Sequence, residues 1–260
     1  KIKLLVAVAV ATLAGSAIAQ SAFQGFYGQV ATGYESNSAS GLSSPLNITD
    51  GVQTLTLANA SASNQNFGGM PLVAGLGYYY SVAPKWLVGI GADYSFLSQE
   101  SSSYSYALSG GELSLGDSPV AGFGLSGAKI KASNRFNIFI TPGYEIDNDK
   151  LVYLKAGYSS VKVDVTAPSS ITFQGQSEPL GGLVSNQSKT LSGYIVGLGY
   201  KQIISGGIYA FGEANYMSYS SANFGRSIAF PGFNGSVNLN TNTSSSLNSY
   251  QLLVGIGYKF

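Results

Sequence analysis

The residues of this sequence best suited to do chemistry are charged side chains set one by one into apolar stretches. Each lies where apolar residues alternate with Gly, Ser, Asn or Thr, and each falls in the polar half of that alternation: Glu35, Asp93, Glu145, Lys155, Lys201, Glu213 and Lys259. Two carboxylates can act as general acid and base, and a carboxylate beside a lysine can form a buried ion pair. The carboxylates lie in different stretches, so sequence spacing alone brings no two of them together.

The side chains that most enzymes use are missing. The 260 residues include no His and no Cys. Without His the chain lacks the commonest general base and zinc ligand, and without Cys it lacks a thiol nucleophile, a thiolate metal site and disulfides. The Gly-x-Gly pairs lie inside strand patterns and precede no helix, so they do not indicate a nucleotide site. We therefore expect no enzymatic activity, no catalytic residue, no metal and no cofactor.

The charged residues lie in segments that show the two-residue period of β-strands with one apolar face. Eight such segments occur, each near the 9–11 residues that a tilted transmembrane strand needs: 26–35, 72–80, 86–96, 136–146, 152–159, 194–201, 208–216 and 250–260. Pro142 lies inside the fourth segment and should break a ladder hydrogen bond or mark a bulge. Inward-facing glycines should make room for the rings of Tyr79, Tyr153, Tyr209 and Phe211.

The connections between these segments alternate between short and long. The short ones are 81–85, 147–150 and 202–207, and the long ones are about 36–68, 98–134, 167–189 and 220–247. This alternation predicts an all-β fold, an eight-stranded antiparallel up-and-down transmembrane β-barrel with periplasmic turns and four long extracellular loops. Residues 104–108 and 113–115 also alternate around Gly110-Gly111, and a ten-stranded barrel is the alternative if that hairpin inserts.

Aromatic residues fall at both ends of the apolar face. Such rings prefer the two membrane–water interfaces, so they predict two girdles. The residues at the short-turn end include Tyr78, Trp86, Tyr144 and Tyr200, and those at the long-loop end include Tyr34, Tyr94, Tyr158 and Tyr216.

The first residues have the pattern of a secretory signal peptide. A short basic region containing Lys1 and Lys3 precedes an apolar run, and Ala17-Ile18-Ala19 is a small-x-small cleavage signal. We expect cleavage between Ala19 and Gln20, which leaves 20–260 as the exported barrel. The remaining chain is almost neutral, so it lacks the basic surface that nucleic acid requires.

Several strand endings carry a repeated motif: Gly75-Leu76-Gly77-Tyr78, Gly197-Leu198-Gly199-Tyr200 and Gly255-Ile256-Gly257-Tyr258. With the signal peptide and the C-terminal Phe260, they resemble the small OmpA/opacity-type (porin-like) outer-membrane β-barrel family over residues 24–260. The resemblance implies insertion among lipopolysaccharide and phospholipid, and assembly through periplasmic chaperones and the barrel-assembly machinery. Tyr258 and Phe260 resemble the signal read by that machinery. Nothing follows Phe260, so we expect the barrel domain only, without a cell-wall-anchoring role.

The charged residues of the lumen, together with the loops, lead to two functional hypotheses. The lumen of an eight-stranded barrel is just wide enough for side chains to fill it, so mixed charges favour a structural ion-pair network. If the turn at 147–150 closes a hairpin, Glu145 and Lys155 should lie close in height. We expect a monomeric outer-membrane protein that acts structurally or through its long loops on an extracellular ligand. A narrow porin-like channel for small solutes, gated by those charges, is the alternative.

Overall fold

The computed structural model describes residues 21–49, 54–108, 113–115, 118–120, 124–173, 176–181, 185–231 and 236–260. The predicted signal peptide, 1–19, and its cleavage site lie outside the described residues. Every regular element within these ranges is a β-strand. No helix long and apolar enough to cross a membrane occurs in the same ranges.

The strands differ in length, and the long ones form the wall. In chain order they are β1 (Gly25–Ser40), β2 (Ser43–Thr49), β3 (Thr54–Ser61), β4 (Gln65–Gly69), β5 (Leu72–Ala83), β6 (Trp86–Ser95), β7 (Gln99–Glu100), β8 (Tyr104–Leu108), β9 (Leu113–Leu115), β10 (Ser118–Val120), β11 (Gly124–Asp147), β12 (Lys150–Thr166), β13 (Ser170–Phe173), β14 (Gln176–Pro179), β15 (Gln187–Ser205), β16 (Ile208–Pro231) and β17 (Ser236–Lys259).

Eight of these strands close an antiparallel ring. Their order is β1, β5, β6, β11, β12, β15, β16 and β17, and β17 returns to pair with β1 from Tyr27 opposite Lys259 to Ser40 opposite Ser246. The predicted eight-stranded barrel is confirmed. The predicted hairpin between 104–108 and 113–115 is wrong, because β8 pairs with β11 and β3 while β9 pairs with β10. The ten-stranded alternative therefore has no inserted hairpin to rest on.

Short turns join the ring strands at one end. They connect β5 to β6, β11 to β12 and β15 to β16, at the three places where the sequence predicts them. Gly206 and Gly207 take positive φ angles of 55° and 90° in the third turn, where L side chains are strained. A Cβ at Gly207 would also lie 2.7 Å from the Lys259 carbonyl oxygen, so glycine is required there by both conformation and space.

At the opposite end the wall continues far beyond the predicted strands. The strands β11, β16 and β17 each have 24 residues, and much of the predicted loops 36–68, 98–134, 167–189 and 220–247 is strand. A second closure forms there, because β2, β3 and β8 connect β17 to β11: Asn238 pairs with Thr49, Ala60 with Leu108, and Gly124 with Ala107. We call this upper part the extracellular extension, after the prediction that the long loops face the outside of the cell.

Two sequence predictions about the wall, one for Pro142 and one for the inward-facing glycines, agree with the structure. Pairing of β11 with β12 runs to Ile140 opposite Ala156 and resumes at Gly143 opposite Tyr153 in the same register, so Pro142 interrupts the ladder without a bulge. The predicted use of glycine is also confirmed. A Cβ at Gly199, Gly257, Gly255 or Gly89 would collide with the rings of Tyr153, Tyr209, Phe211 and Tyr79 respectively.

Apolar side chains occupy two separate buried clusters and one exposed belt. The lower cluster lies near the short turns and contains Phe23, Tyr27, Tyr79, Leu87, Leu151, Tyr153, Tyr209, Phe211 and Leu253 among others. The upper cluster fills the extracellular extension with residues such as Ile130, Val161, Val163, Leu191, Ile195, Met217 and Leu247. Between the short turns and the extension the outer face exposes a belt of large apolar side chains, including Leu76, Ile90, Ile140, Leu154, Leu198, Leu252, Val254 and Ile256. An outward apolar belt around a closed barrel is the lipid-facing surface of an outer-membrane β-barrel.

Candidate functional site

The lumen holds the predicted charged residues in successive layers, and the lowest is built around Lys201. Its ammonium nitrogen lies 3.9 Å from the centroid of the Tyr27 ring and about 5 Å from those of Tyr79, Tyr153 and Tyr209 (5.0, 5.3 and 4.9 Å). No ion pair joins Lys201 to a carboxylate among the described residues. The ring faces therefore take the place of a counter-ion, since the quadrupole of an aromatic ring attracts a cation.

Residues before β1 close the barrel below this layer. The Ser21 hydroxyl donates a hydrogen bond to the Glu145 carboxylate, and both residues are buried. The backbone N–H of Phe23 donates to the Ser21 hydroxyl at 3.1 Å, and the Phe23 ring packs into the lower cluster. The end of the barrel near the short turns is thus filled by the chain itself.

The middle layer is an ion-pair triad. The Lys155 ammonium lies 2.8 Å from Asp93 and 2.8 Å from Glu213, and all three side chains are buried. Asn137 donates to Asp93 at 2.6 Å and Asn215 donates to Glu213 at 2.7 Å. Each carboxylate is therefore bound by a cation and an amide, which is the arrangement that makes burial of charge tolerable.

The upper layer centres on Arg135. Its guanidinium forms a buried ion pair with Glu35 and donates to Asn37, to the Ser249 hydroxyl and to the Tyr219 hydroxyl at 3.0, 3.0 and 2.9 Å. A planar guanidinium with five N–H donors suits such a fork of acceptors.

An amide chain links the upper and middle layers. Gln251 donates to Glu35 at 3.0 Å, and its own amide oxygen accepts from Asn215 at 3.3 Å. Asn215 also donates to Glu213 of the triad. The two ion-pair layers therefore form one hydrogen-bonded network across the lumen.

The structure brings together some of the predicted charges and separates others. Glu145 is opposite Leu151 in the pairing of β11 with β12, so it does not lie beside Lys155, and the predicted closeness of the two is wrong. The reason is that the tight turn places Glu145 four residues below Lys155 on the facing strand. Lys259 is only half-buried and joins no ion pair among the described residues.

Arg135 is a lumen residue that the sequence does not predict, because it falls between the predicted loop 98–134 and the predicted strand 136–146. The sequence does contain evidence for its position. Arg135 precedes Asn137 by two residues, so strand alternation places it on the same face as the inward residues Asn137, Phe139 and Thr141. The strand bends there, since the register of β11 with β12 shifts between Ser133 and Phe136. A bulge of this kind re-aims side chains, and here it leaves Arg135 pointing inward.

The predicted girdle residues all lie on the outer face. Tyr78, Trp86, Tyr144 and Tyr200 lie beside the short turns, on β5, β6, β11 and β15. Tyr34, Tyr94, Tyr158 and Tyr216 lie toward the extension, on β1, β6, β12 and β16. Neighbouring rings contact one another across strands, as Trp86 does Tyr144 with centroids 5.0 Å apart. Their role as interface anchors remains a prediction.

The C-terminal residues complete the seam between the last and first strands. The backbone N–H of Phe260 donates to the Phe26 carbonyl at 2.9 Å, and the rings of Tyr258 and Phe260 contact at 5.2 Å on the outer face. Phe260 is highly exposed. The position is compatible with the predicted assembly signal, which stays a prediction.

The carboxylates of the lumen are each engaged by a partner from the chain, and the lower and upper clusters lie on either side of them. In the part of the chain that the structure describes, no group of three His, Cys, Asp or Glu residues is arranged to hold a metal ion.

No protein-family model and no curated protein sequence matches the chain. Solved structures do match its fold. OprG of Pseudomonas aeruginosa is 15% identical, with 91% of this chain and 96% of that chain covered and a TM-score of 0.47. The outer membrane protease OmpT of Escherichia coli is 10% identical (94% and 99%, TM-score 0.46), and the attachment invasion locus protein Ail of Yersinia pestis is 14% identical (91% and 99%, TM-score 0.37). At these identities the likeness concerns the fold alone.

Proposed function

We propose that this outer-membrane β-barrel is a sealed anchor that presents its extracellular extension as an interaction surface. The observation that carries the proposal is the filling of the lumen. Ser21 and Phe23 occupy the lower end, Lys201 and its rings lie above them, and the triad around Lys155 and the cluster around Arg135 follow. A solute would have to displace several buried ion pairs, each of which is costly to break.

The height of the wall supports the second half of the proposal. A strand of 24 residues rises roughly 60 Å at ~3.3 Å per residue and a tilt near 40°, against an apolar band of ~25 Å. Most of β16 and β17 therefore stands outside the lipid. A barrel that only plugged or braced the membrane would not need an extension with its own buried cluster, whereas a rigid binding platform would.

Single-channel recording of the refolded protein in a planar bilayer tests the sealed lumen. We expect no steady openings for the wild type or for Glu213→Gln, which keeps the size of the side chain but removes a carboxylate that binds Lys155. Steady openings whose conductance changes in Glu213→Gln would contradict the sealed anchor. They would support the narrow porin-like channel instead.

Cell-surface assays test the interaction surface. The hairpin of β13 and β14 belongs to the extension but not to the eight-stranded ring, so its deletion should leave the barrel folded. We expect cells that display this variant to sediment more slowly than cells that display the wild type. We also expect fewer of them to adhere to gelatin-coated glass, when both proteins are present in equal amounts on the cell surface. If neither this deletion nor shortening of the β16–β17 tip changes either readout, the extension is not an interaction surface.

A further inference from the structure

The second closure of the extension is incomplete between β15 and β16. These two strands pair up to Gly193 opposite Tyr219, and above that level no pair joins them among the described residues. Both strands nevertheless continue, since β15 begins at Gln187 and β16 extends to Pro231. An opening therefore remains in the wall above Gly193, and we call it the edge gap.

A β-bulge in β16 accounts for the edge gap. The register of β16 with β17 shifts between Tyr219 and Ala222, at the height where the pairing of β16 with β15 ends. A bulged strand bends and twists more strongly than a regular one. Above the bulge β16 follows β17, from Ala222 opposite Ser245 to Pro231 opposite Ser236, and so diverges from β15.

Strand edges border the edge gap on both sides. β15 uses its opposite edge to pair with β12, from Ser192 opposite Ser160 to Ser188 opposite Asp164. The neighbouring strand β14 pairs with β13 alone among the described strands, and its four residues are exposed. β13 has β11 on one side and β14 on the other, as β12 has β11 and β15, so β14 extends the edge of β15. Such edges present backbone N–H and C=O groups that can pair with another strand.

A lysine side chain bridges the edge gap. The Lys189 ammonium, on β15, donates a hydrogen bond to the Asn223 backbone carbonyl of β16 and lies 5.5 Å from the centroid of the Phe224 ring. Within a sheet such a carbonyl accepts from the N–H of a neighbouring strand, so the ammonium takes the place of a strand. One exposed hydrogen bond contributes little net stability, so a competing backbone can replace it.

The edge gap borders the upper cluster. Leu191 on β15 and Phe224 on β16 are both 5% exposed and belong to that cluster, whereas Thr190 and Asn223 beside them are exposed. A strand added between β15 and β16 would have apolar side chains near its inward face and water at its outward face. Alternating apolar and polar residues suit a strand in this position.

We propose that the edge gap binds an extended segment of an extracellular protein by strand addition. The backbone of the segment pairs with the edges of β14 and β15 on one side and of β16 on the other. The proposal rests on the extension being an interaction surface and specifies its partner as an extended polypeptide with alternating apolar residues. In strand addition main-chain hydrogen bonds provide the affinity, and alternate side chains provide the preference. Because β15 and β16 are antiparallel, the added strand is antiparallel to one edge and parallel to the other.

Fluorescence polarisation with the refolded full barrel tests this proposal. The probe is a labelled peptide, Thr-Val-Glu-Val-Thr-Val-Thr, and its control carries N-methyl groups on alternate residues, which remove ladder donors but keep the side chains. We expect the control to bind the wild type roughly ten-fold more weakly than the probe. Lys189→Gln should bind the probe about five-fold more tightly, because the ammonium no longer competes for the Asn223 carbonyl.

Two further variants sharpen the test. Lys129→Gln is the matched control, since Lys129 is an exposed lysine of the extension that pairs with Glu100 on β7, away from the edge gap. It should leave the affinity unchanged. Ser192→Cys with Ser220→Cys places two thiols at the next opposed positions above Gly193 and Tyr219, in a chain without other cysteines. The oxidised double variant should lose the probe, and reduction should restore binding.

Several outcomes would overturn strand addition. These are absence of probe binding to the wild type, equal binding of the methylated control, and an unchanged affinity in Lys189→Gln. Dimerisation of the barrel alone that the disulfide prevents would also overturn it, because a second copy would then occupy the edges. Absence of probe binding with adhesion still lowered by deletion of the β13–β14 hairpin would overturn strand addition but keep the interaction surface. The heat-dependent shift in SDS confirms folding, and Lys189→Gln suffices if the double variant does not fold.

Discussion

The part of the barrel inside the membrane and the extracellular extension share the same strands but are filled in opposite ways. Along β12 the outward Leu154 is 63% exposed and the inward Lys155 is 2% exposed. Beyond Ser160 the polarity is reversed on the same two faces. Val161 and Val163 point inward and are buried, while Lys162 points outward and is exposed. A single strand thus belongs to two different cores.

The solvent on the outer face explains the reversal. In lipid the outer face must be apolar, and the polar groups inside can be satisfied only by one another, as in the triad around Lys155. In water the hydrophobic effect drives apolar side chains inward, as in a soluble barrel. The change occurs near Ser159 and Ser160 on β12, so the inversion indicates where the wall leaves the lipid.

The largest effect should come from removing a cation from the network of the lower part. Lys155→Met leaves Asp93 and Glu213 buried without their cation, which should cost about 3–5 kcal/mol in the free energy of unfolding. Urea unfolding in lipid vesicles measures it. Lys162→Met removes a lysine from the water-facing side of the same strand and should change the value by less than ~0.5 kcal/mol. Similar losses in both variants would abolish the contrast between the two interiors.

A charge on the outer face should be tolerated differently in the two parts. Leu154→Arg places a cation in the apolar belt and should cost about 2–4 kcal/mol, because arginine near the bilayer midplane is poorly solvated. Ser160→Arg, on the same face of the same strand above the belt, should cost no more than ~1 kcal/mol. The comparison uses the fraction of folded protein in SDS without heating and the urea midpoint. Equal penalties would mean that the belt extends beyond Ser160.

Strand periodicity was sufficient to predict the ring but not its full height. The apolar face of each strand defines the length that the sequence predicts, and on β12 that face becomes polar after Tyr158. The strand does not end there, because Val161, Val163 and Val165 continue the alternation on the opposite face. The extension of β12 is predictable when apolar residues on either the outward or the inward face are accepted as evidence of a strand. The pairing of β2, β3 and β8 is not predictable in this way, since pairing partners depend on the fold of the whole chain.

Removal of a single methyl group should have a smaller effect on stability, and that effect should still differ between the two parts of the barrel. Ile130 and Ile140 both lie on β11, but Ile130 is 2% exposed in the upper cluster and Ile140 is 54% exposed in the belt. Ile130→Val should cost about 0.5–1.5 kcal/mol, because the methyl group leaves a close-packed core. Ile140→Val should cost much less, since lipid chains fill the space. Equal urea midpoints for the two variants would show that the upper cluster is loosely packed.

Prediction of the lumen contacts reached the right residues but not their partners. Parity identified Asp93, Lys155 and Glu213 as inward, and the structure joins them in one triad. The ring contacts of Lys201 could not be predicted, because Tyr27 and Tyr209 come from strands far apart in sequence. Sequence order does not give the relative height of side chains across a tilted barrel, and that height depends on register.

The smallest effect concerns the water-facing charges of the extension. Lys129 donates a hydrogen bond to Glu100 at 2.8 Å and lowers the pKa of that carboxyl below its ordinary value. A lowered pKa in the folded state adds stability above the unfolded pKa, and that stability is lost as pH falls through the folded pKa. Because both side chains are exposed and screened, we expect the urea midpoint of the wild type and of Lys129→Met to respond alike to acid. A carbon-13 NMR titration of the Glu100 carboxyl should nevertheless show its pKa rising toward the ordinary value in Lys129→Met. If the urea midpoint instead followed that titration, the outer face of the extension would not be solvated by water, and the opposition between the two parts of the wall would fail there.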